Sequence, residues 1–574
     1  MRAIRLAMTA LAALCAMPAA AQADAAQTYP DYARSSLYVP VRDGTRLAVN
    51  IYRPAQGAQV AQGPLPVVFA FTPYRARIRD AKGQVVEVAL TDRLALRSLI
   101  AAGYVVAVAD IRGKGASFGH RRGFQDRTEA QDGYDLVEWL AHQPFATGKV
   151  GMIGCSYLGG TTFQTATTAP PSLKAVFIGA SELDKYTFVR RGGITAQFNT
   201  RPDEPLSDDL MSLPVDADGD GALLRSAVAE HAANTPMGPL WYGMPYRDST
   251  SAFTGNRFWE EVAVYPRLGA IRHAGMATYF WGNWQDEPTA QVILGAANVG
   301  GKFLAGPGGH CIPPAGFDFT GEVRRYFDHH LKGADNGIDR EPRSTYWVEG
   351  QGWEKSGLLP GMASRLVSYF LAGGKSGTAQ SANDGTMAAR PGTRGRDSFT
   401  VNYAVPSAEY FAFWAQPMDA YGLSYTTGAL AAPLKLVGMP VVRLKVTADK
   451  PDAHVWAYLD QVGADGKAEV IAFGRLALSH RKTGKAPFNA LGLPYHSGLS
   501  ADVAPLTPGT PAELAFDLTA VSRIVPAGNR LRLTITGADP RQRNLKDVMQ
   551  TPPPVISLLR GGAGGSRIEL PVAP

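Results

Sequence analysis

KVGMIGCSYLGGTT, residues 149–162, is the stretch on which the reading of this 574-residue chain turns. A short apolar run, Val150, Met152 and Ile153, ends in Gly154. Cys155, Ser156 and Tyr157 follow, and Gly159-Gly160 opens a Thr- and Ala-rich segment of helical character. The pattern predicts strand, sharp turn and helix. Such a turn holds a serine hydroxyl at the carboxyl end of a sheet strand, beside the backbone N–H groups of a helix N-terminus, where negative charge is stabilised. Ser156 is therefore a candidate nucleophile.

The flanking sequence supplies the rest of a parallel sheet. Residues 65–71 (LPVVFAF), 104–109 (YVVAVA) and 174–179 (KAVFIG) are continuous apolar runs, the mark of strands covered on both faces. Residues 93–102 and 129–142 read as helices between them, which gives the alternation of an α/β fold. Upstream, 36–52 alternates in polarity and breaks at Asp43-Gly44, predicting two strands and a tight turn. Downstream, a Pro- and Gly-punctuated region at 183–271 has helical pieces (222–234) and a Trp/Tyr/Met-rich patch at 240–246, as expected of a cap inserted between sheet strands. The sheet resumes at 277–280 and 302–305, a helix at 322–332 closes the domain, and 333–343 reads as a linker. Beyond it, short alternating segments at 345–348, 365–371, 441–447, 454–461, 470–479, 514–518 and 530–536 predict a β-sandwich or jelly roll, with a hairpin loop at 463–466.

Length alone calls for two or three domains. Arg2 and Arg5 precede an apolar run from Leu6 to Met17, then Pro18 and Ala21-Gln22-Ala23, which predicts a secretory signal cut before Asp24 and an exported, periplasmic or secreted product. No later apolar run approaches the roughly 20 residues of a membrane span, and Cys15, preceded by Leu14, is a poor lipid attachment site. The formal net charge of +7, or +5 without Arg2 and Arg5, is spread without a Lys/Arg block, so no nucleic-acid partner is expected.

Two serines compete for the nucleophile. Ser117 lies in a literal GxSxG (Gly115 to Gly119), but in a loop with no helix starting at it. Ser156 sits at the strand-to-helix junction, with its second glycine displaced to Gly159 by Leu158. A helix N-cap is the ordinary role of such a serine standing alone. Here an acid and a base follow in the order such a serine needs: Asp286 in Trp281-Gly-Asn-Trp-Gln-Asp286 after one strand, and His310 in Gly306-Pro-Gly-Gly-His310 after the next. Asp216, Asp218 and Asp220 open like a calcium loop, but the twelfth position is Ala227, not glutamate, so an Asp-rich turn capping a helix is expected. His329-His330 is read as structural, and no metal or cofactor is expected.

GCSYLG, NWQDE and GPGGH, with DIRGKGAS at 110–117, DGYDLVEWLAHQPF at 132–145 and FDHHLKG at 327–333, resemble the cocaine esterase and Xaa-Pro dipeptidyl-peptidase (CocE/NonD) family of α/β-hydrolases. The family's glycine spacing is GxSYxG, which Leu158 satisfies. After the signal peptide (1–23), the resemblance implies an α/β-hydrolase domain in two parts (24–182 and 272–340), a helical cap (183–271) and a C-terminal jelly-roll β-sandwich (341–574). It implies Ser156 as nucleophile, His310 as base and then acid, Asp286 as its orienting group, and an oxyanion hole from the Tyr74 hydroxyl and the Tyr157 N–H. The substrate is then a small ester or amide cleaved through an acyl-enzyme. The alternatives are an X-Pro dipeptidyl-peptidase, a β-lactam acylase-type amidase, or a catalytically inactive carbohydrate-binding protein; a homo-oligomer is compatible with each. Amino-ester hydrolases of this family carry Glu and Asp two and three residues after the catalytic aspartate, where this chain has Pro288 and Thr289. Simple acyl esters are accordingly expected to outrank X-Pro amides.

Two cysteines flank the candidate residues: Cys155 directly precedes Ser156 and Cys311 directly follows His310. The arrangement resembles the Cys-Ser and His-Cys pairing of tannase-like feruloyl esterases, which implies a disulfide between the catalytic loops. The other reading is a small buried elbow residue and an unrelated thiol. Export and an even count of two cysteines after the expected cleavage favour the bond.

Overall fold

The computed structural model describes residues 28–90, 92–195, 204–379, 383–406, 408, 412–542 and 544–574; the signal expected at 1–23 lies outside them. The first sheet contains β1 (Asp31–Pro40), β2 (Arg46–Gln56), β3 (Leu65–Thr72), β4 (Val105–Asp110), β5 (Ala146–Cys155), β6 (Leu173–Gly179), β7 (Ala277–Asn283), β8 (Lys302–Gly306), β9 (Ser344–Val348) and β10 (Gly352–Ser356). Their spatial order is β1-β2-β4-β3-β5-β6-β7-β8-β9-β10, with a two-residue strand at Gln59–Val60 beside β2. From β4 to β9 every pairing is parallel, and antiparallel strands flank both ends.

Both faces of this sheet are buried, which is why its strands read as unbroken apolar runs. Phe69 and Phe71 of β3 pack on one side with Leu136, Met152, Phe163 and Ile293. Val68 and Ala70 pack on the other with Leu99, Ile153, Phe177 and Phe327. The covering helices are α1 (Leu96–Ala101), α2 (Arg127–Ala141), α3 (Tyr157–Ala166), α4 (Thr289–Val299) and α5 (Phe319–Lys332). In α5 the buried Phe319, Val323, Tyr326, Phe327 and Leu331 recur at helical spacing. The Asp318 carboxylate caps its start by accepting from the Gly321 N–H at 2.8 Å, and Gly333 ends it in a left-handed conformation.

Two expected elements differ. The segment at 345–348, assigned to the β domain from its alternation, is β9 of the first sheet, which therefore continues past residue 340 through Ser356. It lies near the sheet's end, half-covered, and such a strand alternates like one from a sandwich. The helix expected at 93–102 is shortened to α1, because Ala95 takes a left-handed conformation (φ 56°).

Between β6 and β7 lie short helices: Lys185–Val189, Met237–Tyr242 and Phe258–Val262 surround a separate apolar cluster of Tyr186, Leu240, Trp241, Phe258 and Trp259, while Ala222–Glu230 packs through Leu224 and Val228 with Ala48, Ala116 and Val215. The C-terminal part forms a second, mixed network of 13 strands. Its hairpin His454–Val462 and Ala468–Ala477 turns at the expected loop, and Arg530–Thr536 pairs with the first arm. Among the described residues no helix is long and apolar enough to cross a membrane.

Candidate active site

Ser156 stands between β5 and α3 with φ 62° and ψ −127°, a region that a non-glycine residue occupies only when its surroundings enforce it. Two glycines make the turn possible. A Cβ on Gly154 would lie 2.1 Å from the Leu158 carbonyl oxygen, and one on Gly159 would lie 2.1 Å from the Gly179 carbonyl oxygen at the end of β6. The helix thus descends onto β6 at Gly159, while Leu158 is buried in the apolar cluster beneath; the displaced glycine follows from this packing. The Ser156 N–H donates to Gly179 O at 3.2 Å and its carbonyl accepts from the Gly160 N–H at 2.9 Å. The Tyr157 N–H opens the helix.

Asp286 follows β7 and is fully buried; His310 follows β8 and is partly exposed. The Nδ1–H of His310 donates to the Asp286 carboxylate, 3.0 and 2.9 Å from its two oxygens. This bond leaves Nε2 as the lone-pair nitrogen. The two loops are laced together: Asn283 Nδ2 donates to Gly309 O and Ile312 O, both at 2.7 Å, and Gln285 Oε1 accepts from the Gly308 N–H at 2.8 Å. Burial pulls the His310 imidazole toward neutrality, but Asp286, with a smaller contribution from Glu182, more than offsets it, so its pKa is raised above the ordinary 6.5.

Ser156 is brought to this pair covalently. Cys155 and Cys311 form a disulfide with Cα atoms 5.9 Å apart, so the bonded reading of the two cysteines is the one the structure holds. Cys311 itself is left-handed, φ 56°. Among the described residues no hydrogen bond joins Ser156 Oγ to His310; catalytic contacts of this kind commonly tighten only in the complex with substrate.

Tyr74 projects from the loop after β3, 44% exposed, with its ring edge-on to that of Tyr157 at 6.4 Å between centroids. The loop is fixed on either side of it. The Tyr74 N–H donates to Thr72 Oγ1 at 3.0 Å, and the Ala76 N–H donates to Asp110 Oδ1 at 2.6 Å. Arg75 is held by Asp209 and Glu204 of the cap region. The Tyr157 ring turns inward, its hydroxyl donating to Glu129 Oε2 at 2.8 Å. Burial, reinforced by Asp126, pushes Glu129 up to about 8.

The rival Ser117 is fully buried. Its hydroxyl donates to Asp110 O at 2.7 Å and accepts from the Ala48 N–H at 2.9 Å. A second Asp–His pair lies beside it, Asp209 and His231, but His231 Nε2 meets the Ser117 carbonyl rather than the hydroxyl, at 2.7 Å. The three aspartates of the calcium-like opening are engaged by donors: Asp216 by Arg34 and Ser36, Asp218 by the N–H groups of Leu223 and Leu224, and Asp220 by that of Ala222. His329 Nε2 lies 2.8 Å from Asp339 Oδ2, with His330 also near that carboxylate.

Sequence reading missed two groups around the pair, Glu182 and Phe413, and the partners that hold a third, Glu287. Glu182, after β6, is buried against Lys185. Glu287, next to Asp286, accepts from Arg475 Nη1 at 2.8 Å and lies 3.7 Å from Arg191. Both carboxylates line a cleft with about 970 Å³ of open space, walled also by Tyr186, Phe488 and Tyr495. Phe413 stacks on His310. The last two partners come from the C-terminal part, more than a hundred residues away in sequence, and no local pattern announces them.

Comparison with known proteins agrees with this architecture. The X-Pro dipeptidyl-peptidase (S15) family matches residues 43–312, and the X-Pro dipeptidyl-peptidase C-terminal non-catalytic domain matches 336–553. A putative serine esterase of Mycobacterium bovis is 29% identical over an alignment covering 96% of this chain and 97% of that protein. A cocaine esterase of Rhodococcus is 24% identical, covering 88% and 90% respectively. The crystal structure of a CocE/NonD family hydrolase from Staphylococcus aureus superposes with a TM-score of 0.72 over 94% of both chains at 17% identity, a likeness of fold.

Proposed function

From a chain that belongs to the cocaine esterase and Xaa-Pro dipeptidyl-peptidase family, and is thus a serine hydrolase, we propose an enzyme that cleaves simple acyl esters through Ser156, His310 and Asp286. The observation that carries the assignment is the Asp286–His310 hydrogen bond joined by a disulfide to a serine in a left-handed strand-to-helix turn. His310 Nε2 takes the Ser156 proton as Oγ attacks the ester carbonyl. Asp286 holds the ring and stabilises the imidazolium that results. The Tyr157 N–H and the Tyr74 hydroxyl receive the oxyanion, the alcohol leaves with the proton from His310, and water resolves the acyl-enzyme by the same steps.

The preference for esters rests on charge. A peptidase acting on a free N-terminus needs a carboxylate to receive the ammonium. The two carboxylates beside the pair are committed elsewhere, Glu182 to Lys185 and Glu287 to Arg475 and Arg191. Export is part of the proposal, since a bond like Cys155–Cys311 persists in an oxidising compartment, and the C-terminal β domain is read as a jelly roll. The test compares kcat/KM for nitrophenyl butyrate and an X-Pro nitroanilide, with fluorophosphonate labelling of wild type and Ser156→Ala. A higher value for the nitroanilide would make this a dipeptidyl-peptidase. Absence of label at Ser156 would point to an inactive binding protein.

A further inference from the structure

The domain whose family description is non-catalytic touches His310 at one point and Glu287, the neighbour of Asp286, at another. The Phe413 ring lies flat on the His310 imidazole, with centroids 4.5 Å apart and planes inclined by 15°. Its support is firm. The neighbouring Trp414 donates its indole N–H to Val470 O at 3.0 Å and meets Phe473 edge-on at 5.1 Å, while Ala415 and Met418 are buried among Ile194, Trp456 and Tyr458. The second point is Arg475, almost wholly buried, which holds Glu287 beside Asp286. Val470, Phe473 and Arg475 all belong to the strand Ala468–Ala477. One strand of the β domain thus lies behind both contacts, supporting Phe413 through Trp414 and carrying Arg475.

We propose that Phe413 is a positioning residue for His310. Asp286 fixes the imidazole in its own plane, and Phe413 fixes the tilt of that plane. The negative face of the phenyl ring is also complementary to the imidazolium that forms when His310 takes the serine proton, so the contact strengthens as the reaction proceeds. The charged groups acting on His310 are Asp286, Glu182 and Arg93, of which Arg93 opposes protonation. None of them substitutes for a ring stacked on the face.

The inference rests on His310 as the base, and its test separates the two. In the full-length protein, Phe413→Leu keeps apolar cover over the imidazole and removes the π face; Phe413→Trp restores a face. With nitrophenyl butyrate, Phe413→Leu is expected to lower kcat by about 3- to 30-fold with KM little changed. The acid limb of its pH profile should move down by roughly half to one pH unit, and Phe413→Trp should recover most of both. The His310 ring-proton resonance, followed by NMR against pH, should show the same displacement without turnover. Wild-type kcat and an unmoved titration in Phe413→Leu would overturn the proposal, as would an effect confined to KM. If His310→Ala stays active, the functional reading itself fails. If His310→Ala is inactive and Phe413→Leu is unaffected, only the role of Phe413 falls.

Discussion

Reducing the Cys155–Cys311 bond should cost both stability and rate, by amounts that follow from where it lies. The two residues are 156 apart in sequence. In the chain-entropy picture, opening a loop of that length releases about 5 kcal/mol of constraint on the unfolded chain at 25 °C. Spread over an unfolding entropy of roughly 0.6 kcal/mol/K for an α/β unit of about 300 residues, this lowers Tm by up to about 8 °C. The effect on rate is local. Cys311 holds a left-handed backbone directly after His310, and once the bond is open that residue relaxes toward ordinary geometry. Asn283 still grips Gly309 and Ile312, and Asp286 still holds the ring, so the loop shifts rather than unfolds. A misplacement of about 1 Å corresponds to roughly 10- to 100-fold in kcat. The assay is scanning calorimetry and ester turnover with and without a phosphine reductant, with free thiols counted. The Cys155→Ala/Cys311→Ala double variant should match the reduced protein and ignore the reductant. Two free thiols with unchanged Tm and kcat would refute the reasoning, and peptide mapping that finds both thiols free in periplasmically produced protein would remove its premise.

Other expectations divide the candidate residues by role. Ser156→Ala should abolish turnover with Tm little changed, whereas Ser117→Ala, which orphans the buried Ala48 N–H, should cost about 1–3 kcal/mol of stability and leave kcat of the folded protein intact; equal residual activities would mean the nucleophile is misplaced. Tyr74→Phe should lower kcat by roughly 10²- to 10³-fold with KM nearly constant, because a hydroxyl aimed at a developing oxyanion matters little to the bound ester; an unchanged kcat removes Tyr74 from the site. Because the His310 pKa is raised, the base is lost by protonation as pH falls through a value above 6.5, so the acid limb of kcat/KM should lie above the free-imidazole value; a limb below it contradicts the Asp286 pairing.

The candidate nucleophile turn and the two loops are legible because each follows a fully covered strand whose apolar run is unmistakable. The order Ser156, Asp286, His310 then needed only chain connectivity. The literal GxSxG misled pattern matching for a physical reason: what the turn requires is room for its backbone, and the second carbonyl to be avoided, that of Gly179, faces Gly159 and not residue 158. β9 was misassigned because a half-covered strand at the end of a parallel sheet and a sandwich strand show the same alternation. Phe413 was invisible for a different reason. The segment that presents it is neither helix nor strand, and its position is set by Trp414 meeting Val470 and Phe473, contacts that no sequence periodicity encodes.

The buried ion pairs around His310 bear on what the site excludes. Taking Glu182 and Lys185 out of water is costly, and such a pair often stabilises a fold less than apolar residues of the same volume would. Its effect on the site is clearer. Glu182 is close enough to favour the imidazolium, and pairing with Lys185, which itself lies near the Phe124 and Phe188 rings, keeps that carboxylate from an incoming cation. Glu287 is treated likewise by Arg475 and Arg191, and Arg191 is held in turn by Asp517 at 2.7 Å. A substrate ammonium would have to displace Lys185 or Arg475 to reach either carboxylate, and the displaced cation would lose the carboxylate that pairs it in its buried position. An uncharged ester meets no such barrier. On the proposed ester reading, the discrimination comes from what the ion pairs withhold, and the β domain contributes to it through Arg475 and Asp517.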